Sequence, residues 1–199
     1  MSRMRWAAPI LAGLLTLTAA GLAAAQTIPP APPLAEQLSP APLQPGDAFG
    51  LEVVLPERTV ALTKGHATWD SAFDTLIASF KTLHSYLDKE GIKPTGPAMT
   101  IYTQTDETGF DFQAAYPVAA APANPPPDKI TVGQAPAGKA LKFVHRGGYD
   151  TMDTTYEAIT NFLDDHSLDA KDMFIEEYTT DPPVSNPDRL VIDIYVPIK

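Results

Sequence analysis

Two stretches of helical periodicity, each bracketed by pairs of β-rich segments, limit how this chain can fold. The first helix is expected over roughly 71–89, with Phe73, Leu76, Ile77, Phe80, Leu83 and Leu87 on one apolar stripe. Asp70 or Ser71 stands where a cap is needed, and Gly91 stands past the end. The second is expected over 151–165, with Met152, Tyr156, Ile159, Phe162, Leu163 and His166 on its stripe and Asp150 or Thr151 as cap. Segments rich in Val, Ile and aromatic residues predict strands at 51–55, 58–64, 98–104 and 110–118 around the first helix. Strands at 130–134, 139–145, 173–179 and 190–198 are predicted around the second. Sliding one half on the other by 83 residues brings Gly65 onto Gly148, Phe73 onto Tyr156 and Leu76 onto Ile159. A slide of 76 pairs Tyr102 with Tyr178, and one of 80 pairs Phe112 with Ile192 and Pro117 with Pro197. The pattern reads as an internal duplication of a β-β-α-β-β unit. One helix cannot cover both faces of four strands, so the expectation is a single α+β domain in which the units pack pseudo-symmetrically around a cleft.

Proline and charge mark the boundaries. Seven prolines lie within 26–47, a polyproline-prone lead-in unable to form a core, and an Ala/Pro linker at 119–127 separates the halves 48–118 and 128–199. Before the lead-in, Arg3 and Arg5 precede an apolar run from Ala7 to Ala20, and Ala23, Ala24 and Ala25 supply small residues. Residues 1–25 therefore read as a signal peptide cleaved after Ala25, and the protein as periplasmic or secreted, with no stable membrane insertion after cleavage. The whole chain carries 14 basic against 24 acidic residues, a net charge of −10. Removing the leader takes two arginines and no acid, which argues against nucleic-acid binding, since phosphate neutralisation supplies most of that affinity. The absence of cysteine excludes disulfides and thiolate sites.

Few residues announce chemistry. There is no phosphate loop, HExxH or nucleophile elbow, and His66, His84, His145 and His166 show no ligand spacing, so no metal or cofactor is expected. One strand is different. In Met173-Phe174-Ile175-Glu176-Glu177-Tyr178 the alternation puts Phe174, Glu176 and Tyr178 on one face and Ile175 and Glu177 on the other. A carboxylate between two rings suits an organic cation, through cation–π attraction and a counter-ion that fixes orientation. The bland alternative is an exposed strand glutamate. The matching position in the first half is Thr100, which carries no acid.

His145-Arg146-Gly147-Gly148-Tyr149-Asp150 before the second helix, Glu176-Glu177-Tyr178 followed by Asp181-Pro182, and the closing Asp193-Ile194 with Pro197 resemble the GyrI-like small-molecule-binding family. This family is also known as the effector-binding domain of AraC-type and MerR-type regulators. Lys64-Gly65-His66, Gly96-Pro97 and Tyr102 extend the resemblance into the first half, so that it covers 48–199. It implies a ligand cleft between paired units, lined by aromatics and holding a glutamate. Glu176 falls on that glutamate because Tyr178 completes the family's Glu-x-Tyr pattern, with Glu177 the less suitable neighbour. Tyr102, Trp69, Tyr149 and Phe112 are the wall residues implied, although turn packing accounts equally well for Trp69 and Tyr149. Nothing in the sequence supplies the helix-turn-helix of the regulators. The expectation is therefore an exported binding module for small cationic or aromatic amphipathic molecules, with no nucleic-acid partner. The alternatives are a hydrolase using Glu176 as general acid or base, and a SOUL-like haem-binding protein with His145 or His66 as ligand.

Overall fold

The computed structural model describes residues 40–122, 129–183 and 185–199. The expected signal peptide at 1–25, the lead-in up to 39 and residues 123–127 of the 119–127 linker lie outside the described residues. Eight strands form one antiparallel sheet: β1 (Phe49–Leu55), β2 (Thr59–Thr68), β3 (Met99–Thr105), β4 (Gly109–Pro117), β5 (Ile130–Gln134), β6 (Gly138–Gly147), β7 (Phe174–Tyr178) and β8 (Leu190–Pro197). Helix α1 (Ala72–Lys89) follows β2 and helix α2 (Met152–Asp165) follows β6. Each helix is introduced by one 3₁₀ turn, Trp69–Ser71 and Tyr149–Thr151. Ser71 and Thr151 occupy the cap positions, but their hydroxyls bond back to Thr68 and Gly148 in the preceding turn rather than to the helix. Gly91 adopts φ +67° just past α1, a left-handed conformation that glycine enters without steric penalty.

The strand order is β1-β6-β8-β7-β3-β4-β2-β5. Read from the other edge with the halves exchanged, it is unchanged. The register obeys the same two-fold relation. Val60 faces Pro117 in the first half and Ala140 faces Pro197 in the second, an offset of 80. The central strands β3 and β7 instead relate by 76, with Thr100 directly opposite Glu176. Helix α1 has 18 residues and α2 has 14, and this four-residue difference accounts for the change of offset. The offset of 83 drawn from the helices is therefore corrected to 80, which matches Trp69 with Tyr149. A slip of three residues is close to one helical turn and keeps an apolar stripe on the same side, so a helix pattern alone does not exclude it.

Only Pro56–Arg58 separate β1 from β2, a reach of ~14 Å at most. In a flat sheet of this order the two would stand six strand spacings apart, ~29 Å. The sheet must therefore roll until its edges approach, and Ala135 N donates to Arg58 O across that approach at 2.9 Å. Inside the roll Val60, Leu62, Met99, Ile101, Ala115 and Ile175 form one apolar core. The helices cover the other face with a larger core, including Leu76, Phe80, Leu83, Phe143, Ile159 and Ile194. The described end of the lead-in is tied down. Asp47 receives two hydrogen bonds from the Arg146 guanidinium, at 2.7 and 2.8 Å, and Ala41 N donates to Arg146 O at 2.7 Å.

Candidate functional site

The alternation of β7 places Glu176 under the helices, between Thr100 on β3 and Ile194 on β8. Its side chain is buried, yet among the described residues no basic group pairs with it. Three phenols do: Tyr178 Oη and Tyr102 Oη donate to Oε2 at 2.6 and 2.8 Å, and Tyr156 Oη donates to Oε1 at 2.8 Å. A phenol has a single proton, so in the 3.0 Å contact between Tyr102 and Tyr149 the donor is Tyr149. By the same reasoning Thr100 Oγ1 donates to Tyr178 Oη at 3.2 Å. Five hydroxyls thus point their protons, directly or through one relay, toward a single carboxylate. Tyr102 and Tyr178 are related by the sheet's two-fold, so the glutamate sits almost on that axis.

Burial raises the Glu176 pKa above its ordinary value, and the bonds from Tyr178, Tyr156 and Tyr102 pull it part of the way back. The phenols of Tyr102, Tyr156, Tyr178 and Tyr149 are pushed upward by burial first and by the Glu176 charge second. They remain protonated donors at any physiological pH.

Above the carboxylate lies a cavity of about 540 Å³ walled by Trp69, Tyr102, Tyr149, Met152, Tyr156 and Phe174. Trp69 forms a half-exposed rim, its ring 5.0 Å from Phe110 and its Nε1 donating to Asp106 O at 2.9 Å. Phe174 meets Tyr156 edge to face at 5.4 Å. The charged groups among the described lining residues are Glu176, Asp106 and Asp153, all acidic. Bonds from the Thr108 hydroxyl and the Thr108 and Gly109 amides hold the Asp106 carboxyl below its ordinary pKa. The cavity is an aromatic box of negative potential, of drug-like size.

Glu176, Tyr178, Tyr102 and Tyr149 are thus brought together, with Trp69 at the rim. Phe112 is not on the wall. Its ring lies over Gly65, where an added Cβ would come within 2.6 Å of it, and packs 5.8 Å from Phe110 in the core. Phe174, read from the strand alternation as one of the two rings flanking Glu176, is on the wall, whereas the wall residues Tyr156 and Met152 were not singled out from sequence for that role. Tyr156 carried the available clue: a phenol on an otherwise apolar helix stripe needs a buried partner. Glu177, next in the chain, points to the inside of the roll and pairs with Arg58. His145 is buried, with Nδ1 2.8 Å from Thr155 Oγ1 and Nε2 3.1 Å from Gly148 O, so both ring nitrogens are committed. His66 is paired with Asp111 at the surface. Neither is disposed to ligate haem iron, and the described residues contain no cluster of three metal-ligating side chains.

The profile of the GyrI-like small molecule binding domain matches residues 52–199. No curated protein sequence matches the chain. Among solved structures, the chain is similar to the EcmrR C-terminal domain, with a TM-score of 0.64 and 17% identity over 76% of this chain and 98% of that one. Against EcmrR in its DNA complex the TM-score is again 0.64, at 18% identity, with 76% of this chain covered but 57% of EcmrR. A hydrolase from Listeria innocua has a TM-score of 0.56 at 11% identity, over 77% of this chain and 93% of that one. SAV2435, solved bound to tetraphenylphosphonium, has a TM-score of 0.54 at 12% identity, over 76% and 94%. At these identities the likeness is one of fold.

Proposed function

The chain belongs to the GyrI-like small-molecule-binding family, and from that premise we propose that it is an exported binding module for lipophilic organic cations. The observation that carries the reading is Glu176: a buried carboxylate with three phenol donors and no basic partner among the described residues, at the base of an aromatic cavity. An isolated buried charge is costly, and phenols offset that cost only partly. A cation entering the cavity completes the pair, and the rings of Trp69, Tyr149, Tyr156 and Phe174 give it quadrupole attraction and apolar contact. Such a site favours delocalised or alkylated cations, which bring little hydration to lose. The tetraphenylphosphonium held by SAV2435 is of that class. Export rests on the leader-like 1–25, and places the module outside the compartment of DNA and RNA polymerase.

The hydrolytic alternative would use Glu176 as general base. Three phenol donors occupy both oxygens of the carboxylate, and each phenol is held protonated by burial, so the arrangement is better suited to holding a cation than to cycling a proton. The test is calorimetric titration of the full chain with tetraphenylphosphonium, using tetraphenylborate as the isosteric anion. Binding of the cation alone is expected, with Glu176→Gln weakening it 10- to 100-fold, about 1.4–2.7 kcal/mol. Equal affinity of the cation for the wild type and Glu176→Gln would overturn the proposal.

A further inference from the structure

A second cavity, about 560 Å³, has a lining that does not include Glu176. It lies between the 94–98 segment that leads into β3 and the chain leaving β7, with Tyr116 of β4, Tyr178 and Asp181 in its lining. Tyr116 is buried, and its hydroxyl has no hydrogen-bond partner among the described residues. The fold does not require a hydroxyl there. Under the sheet's offset of 80 the equivalent of Tyr116 is Val196, fully buried in the same core, because Ala61 faces Tyr116 as Leu141 faces Val196. The equivalent groove in the other half is walled by Tyr102, Met173 and Phe174, and it brings no such group into its lining. A polar atom buried without a partner, where an apolar residue serves equally well, indicates a partner that is not part of the chain.

We propose that this groove is a second ligand site, selective for small ammonium ions that carry N–H bonds. Tyr116 Oη accepts one N–H, the Asp181 carboxylate supplies the counter-charge, and Pro94, Pro97 and the Tyr178 ring give the apolar contact. The other ionisable side chains facing the groove already have partners: Asp193 with Lys142 at 2.7 Å and His84 with Asp88 at 3.0 Å. The selectivity differs from that of the Glu176 cavity, where rings and a carboxylate accept a cation with no N–H at all. The two sites share Tyr178, whose ring walls the groove while its Oη donates to Glu176.

The experiment is calorimetric titration of the full chain with benzylammonium and with benzyltrimethylammonium, which differ only in N–H bonds. Benzylammonium is expected to fill one more site than its trimethyl analogue. Tyr116→Phe, and separately Asp181→Asn, should weaken that extra site at least tenfold and leave benzyltrimethylammonium binding unchanged. Tyr116→Phe should also melt no lower than the wild type, since it removes an orphan hydroxyl. Equal stoichiometry for the two cations, or an extra site that survives Tyr116→Phe, overturns the proposal and leaves the Tyr116 hydroxyl to water. Neither outcome bears on Glu176, whose own substitution tests the first cavity separately.

Discussion

Glu176 and Glu177 are neighbours on one strand, both buried, and the fold treats them in opposite ways. Glu177 points into the rolled sheet and meets the Arg58 guanidinium, carried there by the short connection between β1 and β2. Glu176 points under the helices and, among the described residues, is hydrogen-bonded by phenol hydroxyls alone. The first is a closed ion pair that locks the roll. The second is left with unbalanced charge beside an open cavity. Burial alone therefore does not distinguish a structural carboxylate from a binding one; the difference lies in whether the compensating cation is part of the chain.

The contrast is broken most directly by removing the resident cation. Arg58→Ala should strand Glu177 and destabilise the fold by about 2 kcal/mol, lowering Tm by roughly 4–8 °C. Glu176→Gln should leave Tm unchanged or raise it, because it removes a buried charge without orphaning another. Differential scanning calorimetry of both variants decides the matter, and equal losses would erase the distinction. A second prediction sharpens it through pH. With its pKa raised by burial above the ordinary 4.5, Glu176 adds stability below that value, and this contribution is lost as pH rises through the raised one. A bound cation favours the ionised form. Affinity for tetraphenylphosphonium should therefore climb with pH over that window, by at most about tenfold per unit, and the climb should vanish in Glu176→Gln. The smallest effect is expected from Tyr156→Phe, which removes one donor from Oε1. It should weaken cation binding by about 1 kcal/mol, and move the affinity profile to higher pH as the Glu176 pKa rises further. A profile that stays in place would mean that Tyr156 serves only as a wall.

Much of this was legible in the sequence where the physics is local. Apolar stripes gave both helices, and β5 at Ile130–Gln134 lies where its composition put it. The slide of 76 that matched Thr100 with Glu176 is the register in which those residues face each other. What was not legible is what depends on long-range closure. Phe112 and Phe110 stand two apart on one face of β4 and both are buried, but Phe112 lies over Gly65 of β2 while Phe110 packs against Trp69. Tyr156 read as a core residue because a helix stripe does not reveal that a carboxylate waits beneath it. The Arg58–Glu177 pair could not be seen at all, since it joins residues 119 apart through the rolling of the sheet.

The crossing of the edge strands also has a temporal side. β1, made first, finds its partner in β6, and β5 finds its partner in β2, so each half lends an outer strand to the other. Glu52 meets Leu141 only after about ninety further residues have been synthesised, and neither half can complete its own sheet while the other is missing. Closing so long a loop before any contact rewards it is slow, and the molecule must assemble late and all at once. The pocket inherits that schedule. Glu176 is held between β3 and β8, and its setting is incomplete until β8 has arrived.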